Sequence, residues 1–160
     1  MPRPHAAPLF AATLSAALLA APAAQAQYFQ QRVFGAAAGW DVVSMYENTV
    51  FVGCSAAHRQ AIGQSGIAMN AAGNWMLAFQ MPTPQGVVPA QMTIDGEFWG
   101  FPVEGEGNRV SFGASAQIMN AVRSGSILTI TVPGSTSTVV LSGSSAAMDM
   151  VEACVRRGGN

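Results

Sequence analysis

The amino-acid sequence predicts a mainly β domain of the β-rich α+β class: a small antiparallel β-sandwich or open barrel with a C-terminal helix packed on it. Three observations carry this expectation. Apolar and polar residues alternate through most of 28–143, which is the period-2 signal of half-buried strands. The 17 glycines and 9 prolines of the 160-residue chain cut that alternation into runs too short for helices. Helical spacing recurs in only two segments, near residues 115–124 and after residue 143.

Taken in order, residues 40–46 and 49–54 read as a first strand pair, with Glu47-Asn48 as a two-residue turn. Residues 55–65 are small, polar and aperiodic, and are expected to form a loop. Residues 66–70 and 75–81 make another pair, in which Trp75, Leu77, Phe79 and Met81 share one face. Pro82 and Pro84 then remove backbone donors and force a turn or an extended run. Strands are expected to resume at 91–94, 98–103 and 109–113, broken at Asp95-Gly96 and again over 104–108. Residues 115–124 carry a capping Ser115, a stripe of Ile118, Met119 and Val122, and the stop signals Arg123 and Gly125. A hairpin follows, with 127–132 returning through 138–141 after Pro133-Gly134. In the last helix Ala147, Met148, Val151, Cys154 and Val155 recur at helical spacing. Ser144 or Ser145 is expected to cap it, and Glu152 stands four residues before Arg156, the favourable order for a surface pair. Trp40, Trp75, Phe79, Phe98, Phe101, Phe112, Leu128, Ile130 and Leu141 are the expected core.

Residues 1–26 read as an address rather than as fold. Arg3 and His5 precede an apolar run over 9–21, and Ala24-Gln25-Ala26 has the small-x-small form of a cleavage site, the layout of a secretory signal peptide. The run is shorter than the roughly 20 residues that span a bilayer. Cleavage after Ala26 leaves 27–160 as a single β-rich domain, periplasmic or secreted, without a transmembrane segment. Its six arginines stand against eight acids, a mild formal charge of −2, and the chain has no lysine. Nucleic-acid binding, P-loops and lysine Schiff bases are thereby excluded. The two cysteines, Cys54 and Cys154, are expected to form a disulfide in an oxidising compartment.

Gly39-Trp40-Asp41-Val42, Met92-Thr93-Ile94-Asp95-Gly96, Ala121-Val122-Arg123-Ser124-Gly125 and the stretch from Leu141 to Ala147 span most of the expected mature chain. In these segments the sequence resembles the proteobacterial exported proteins grouped as invasion-associated locus B-like, although it lacks the further cysteines common among them. The resemblance implies an exported, non-catalytic β-rich accessory protein with a role at the envelope or toward a host surface. It supplies no catalytic residue.

The remaining chemistry is sparse. Asp95, Glu97, Glu104 and Glu106 flank the aromatic run Phe98-Trp99-Gly100-Phe101, in which Trp99 with Phe98 or Phe101 is a candidate recognition patch. If a hairpin sets the two acidic pairs face to face, they form the carboxylate pair of glycan hydrolysis or a calcium site; otherwise they are turn residues beside a recognition surface. His58 is the one histidine after residue 26, too few for a zinc site of ordinary spacing and without a nucleophile elbow for a triad. Met148 and Met150 stand two apart on a helix, so their thioethers diverge rather than share a copper ion. The expectation is therefore a cofactor-free binding or accessory module of the envelope, with a protein or a glycan as its partner. The alternative is a small hydrolase or binder of surface glycans acting through 95–106.

Overall fold

Most of the period-2 runs are strands in the computed structural model, which describes residues 28–59 and 65–160. In chain order they are β1 (Phe29–Ala37), β2 (Trp40–Glu47), β3 (Val50–His58), β4 (Gly66–Asn70), β5 (Trp75–Gln80), β6 (Gly86–Ile94), β7 (Glu97–Gly105) and β8 (Arg109–Gly113). The helix α1 (Ala116–Ser124), strands β9 (Ile127–Val132) and β10 (Ser135–Val140), and the helix α2 (Ser144–Arg156) complete the chain. The expected leader over 1–26 lies outside the described residues.

Among the described residues the strands form one antiparallel sheet in the order β1-β2-β3-β4-β5-β8-β7-β6-β9-β10. It is an open sheet rather than two separate ones. Ten strands, each turned by roughly −20° to −25° on its neighbour, curl the sheet until its halves face each other. Trp40, Ile67, Leu77 and Phe79 from one half meet Leu128, Val139 and Leu141 from the other around an internal gap of about 10 Å³.

Each helix buries one stripe and leaves its other face exposed. The stripe Ala147, Met148, Val151 and Cys154 of α2 is buried against β1 to β4, and α1 buries Ile118, Met119 and Val122. The Cys54–Cys154 disulfide ties α2 to β3 across 100 residues, with the two Cα atoms 6.2 Å apart. The Trp40 indole N–H donates to the Ser142 carbonyl at 2.8 Å and fixes the entry to α2. Arg123 on α1 pairs with Asp149 and, at 2.9 Å, with Glu152 on α2. The anticipated Glu152–Arg156 pair is looser, at 4.0 Å.

Several boundaries differ from the sequence expectation, each for a local reason. β1 is not legible as a separate strand in the sequence, because a bulge between Val33 and Gly35 shifts its phase midway. Residues 55–58 continue β3 instead of opening a loop: the small side chains of 55–57 have little β-propensity, but β2 and β4 pair with them on both sides, and His58 pairs with Trp40 of β2. The β2–β3 turn is Asn48-Thr49, both in the left-handed region. β6 starts five residues before the expected position, at Gly86, because Pro89 is accommodated where no ladder donor is needed. Neither Ser144 nor Ser145 caps α2. Gly143 does, at φ 79° with no side-chain bond, because any Cβ there would strike the Ala38 backbone. Ser144 is fully buried and its hydroxyl donates to the Val122 carbonyl at 2.6 Å. That carbonyl lies in the last turn of α1, where no helical donor reaches it.

Candidate functional site

The β6–β7 hairpin carries the residues that the sequence marked, and its register separates them. Ile94 pairs with Glu97 at one end and Gly86 with Gly105 at the other, around the Asp95-Gly96 turn. Glu97 and Glu104 therefore stand seven residues apart on one strand, about 23 Å at roughly 3.3 Å per residue. Two-carboxylate hydrolysis needs roughly 5–9.5 Å. The two acidic pairs do not face each other.

Each acid has its own surroundings. The Asp95 carboxylate accepts the backbone N–H of Ser126 at 2.8 Å and of Ile127 at 2.9 Å, joining the hairpin turn to the start of β9. Those bonds, Ile127 first, hold its carboxyl below the usual carboxylate range. Glu97 accepts from the Gln117 side-chain amide at 3.2 Å. Glu104 is exposed opposite Ser111 and Val87. Glu106 is exposed in the β7–β8 turn, where its N–H donates to the Arg109 carbonyl.

The aromatics divide by strand phase. Trp99 and Phe101 are half-buried on the inner side, packed against the core, and the Phe101 ring lies 4.7 Å from that of Phe112. Phe98 is out of phase with them and 59% exposed, so it is not the core residue that its size suggested. Around it the outer face forms rows fixed by the register. Phe98, Thr93, Thr129 and Thr138 make one, and Gly100, Gln91, Thr131 and Thr136 the next. The paired threonines of β9 and β10 bond through their hydroxyls at 3.2 and 3.1 Å. Beyond these rows Pro89 pairs with Pro102, and a shallow open depression of about 430 Å³ lies among Val87, Pro89, Phe98 and Pro102. Val87, Phe98, Ile127 and Val140 are four of the eight large hydrophobic side chains exposed on the described residues, and all four lie in this half of the sheet.

Val87, Pro89 and Pro102 are not marked by the sequence reading, whereas Phe98 is, as a core residue or as part of a recognition patch with Trp99. The signal was present in the phase: once Val88, Ala90, Met92 and Ile94 are set inward, Val87 and Pro89 must point out.

Other candidate chemistry is occupied or dispersed. Cys54 is in the disulfide, and the His58 ring stands edge-on to Trp40 at 5.2 Å. Among the described residues no three His, Cys, Asp or Glu side chains group to hold a metal ion, and no helix is long and apolar enough to cross a membrane.

The architecture has a solved counterpart. The crystal structure of invasion associated protein b from Bartonella henselae is similar to this chain with a TM-score of 0.60, covering 77% of this chain and 97% of that one. The two chains share a fold. At 16% identity the likeness to invasion associated protein b is one of backbone rather than of surface, so the outer face of β6–β7 has to be read from this chain's own residues. No family model matches the sequence, and no curated protein sequence matches it.

Proposed function

We propose that this is an exported accessory protein of the bacterial envelope that binds a protein partner through the outer face of β7, β6, β9 and β10. The observation that carries the reading is the exposed set Val87, Phe98, Ile127 and Val140 in one half of the sheet. Two of them, Val87 and Phe98, line one open depression with Pro89 and Pro102, and exposed apolar surface of this kind marks interaction sites. The leader-like residues 1–26 and the Cys54–Cys154 bond support export, since disulfides persist in oxidising compartments. The shared fold with a protein described as invasion associated supports a place at the envelope or toward a host surface. Glycan hydrolysis through 95–106 has no comparable support, given the separation of its carboxylates.

The test is site-specific photocrosslinking in intact cells. A photoreactive residue at Thr93 or Thr131 should capture one and the same protein, and Phe98→Glu should abolish the capture. The same probe at Ala57, on β3 in the other half of the sheet, should not capture it. Equal capture from Ala57, or none from Thr93 and Thr131, overturns the proposal.

A further inference from the structure

β7 is a strand with an open edge. It pairs with β6 along its whole length but with β8 only at Glu104 and Gly105. The direction of its free backbone groups follows from the Pro89–Pro102 pair. Neither proline has an N–H, so this is a non-hydrogen-bonded pair of the β6–β7 ladder. By alternation the even-numbered residues of β7 direct their N–H and C=O away from β6. Two bonds agree with this phase: Glu106 N–H donates toward β8, to Arg109, and Asp95 N–H donates toward β9, to Ile127. The open edge therefore presents the N–H and C=O of Phe98 and Gly100 and the C=O of Pro102.

We propose that this edge pairs with the same edge of a second copy, antiparallel and centred on Gly100. Self-complementarity singles out a second copy. In that register each Gly100 N–H donates to the other's carbonyl, and each Phe98 N–H donates to the Pro102 carbonyl opposite, where the missing proline N–H is not needed as a donor. Phe98 comes to lie beside Pro102 on the outer side, and Trp99 beside Phe101 on the inner side. These half-exposed aromatics lose water on both faces of the new ladder. Each Phe98 ring already leans over its own Gly100, about as close as an ordinary contact to where a Cβ would stand, so the two rings approach each other above the glycine pair. The new ladder ends at the two Phe98–Pro102 pairs, because Glu104 and Gly105 are already paired with β8.

The other open edges lack this match. β1 carries a bulge and an Arg32 on its inner side, stacked 4.5 Å from the Tyr46 ring, and both features protect edges. The free stretch of β6 is interrupted by Pro89. β10, Ser135–Val140, carries no aromatic side chain to bury against a second copy.

The purified protein alone decides the matter, independently of any envelope partner. Sedimentation equilibrium should show a concentration-dependent dimer. Gly100→Pro removes only an N–H that points away from β6, in the same phase as the natural Pro102, and should yield a folded monomer. Gly100→Ala keeps the N–H and should still dimerise. Phe98→Glu leaves the backbone untouched and should raise the dimer dissociation constant more than tenfold. A monomeric wild type, or a dimer that Gly100→Pro and Phe98→Glu leave equally strong, overturns the proposal.

Discussion

Replacing Cys54 and Cys154 together by alanine removes the tie between β3 and α2 and measures its worth. The bond closes a loop of 100 residues, and for that length the loss of loop-closure freedom in the unfolded chain amounts to about 4.7 kcal/mol at 25 °C. Both sulfurs are fully buried, so truncation also leaves two small voids, which add roughly 1 kcal/mol. A loss near 5–6 kcal/mol matches the whole stability of many domains. At roughly 4 °C per kcal/mol for a domain of this size, the thermal midpoint should fall by about 20 °C. The assay is thermal and urea unfolding followed by far-UV circular dichroism. Wild type that has been unfolded, reduced and refolded under reductant should match the double variant to within the void contribution. A midpoint change below about 5 °C in both samples would refute the reasoning, because the register of the sheet alone would then hold α2 in place.

Three further outcomes are expected. Ser144→Ala leaves the buried Val122 carbonyl without its donor and should cost about 1–3 kcal/mol in urea unfolding; an unchanged midpoint would mean that water takes the hydroxyl's place. Asp95→Asn loses one of the two backbone bonds at the β6–β7 turn. Because the folded carboxyl titrates below its unfolded value, its contribution is full above about pH 4 and is lost as pH falls through the folded value. The midpoint gap between wild type and Asp95→Asn should therefore narrow on acidification, and a pH-independent gap would contradict this. Gly53→Ala places a Cβ 2.4 Å from the Met69 carbonyl and 2.9 Å from the Asn70 Cα, both backbone atoms. It should destabilise by about 1–3 kcal/mol, read as faster hydrogen exchange across β3 and β4.

The parts of the fold legible in the sequence are those where one physical signal dominates. Alternation sets Leu77 and Phe79 inward on β5 and Met81 inward just beyond it, and Ser115 caps α1, its hydroxyl accepting the Ile118 N–H at 3.3 Å. The pairing of Cys54 with Cys154 followed from their number. Where signals conflict, the reading fails. Ser55, Ala56 and Ala57 have loop composition but central-strand neighbours. Phe98 has the size of a core residue and the phase of an outer one. For the candidate surface, composition points to the β6–β7 hairpin, but only register shows that its acids are dispersed and that Phe98 and the prolines form its outer relief.

The order of the strands also sets a timetable. β1 to β5 pair with one another in sequence order, and of these only β5 also takes a distant partner, β8, so this meander is able to assemble as the chain is delivered. Its inner face, with Val42, Ile67, Leu77 and Phe79, is covered by residues from β9 through α2, and β5 has no second partner until β8 arrives. From Gln80 to the end of α2 at Arg156, a chain delivered at the pace of its synthesis, about 5–20 residues per second, takes roughly 4–15 s. For that interval half a sheet stands with an apolar face and an open edge, long compared with the microseconds of hairpin formation. The chain is most in need of a holding chaperone then, and the demand is set by the place of α2 in the sequence rather than by the stability of the finished domain.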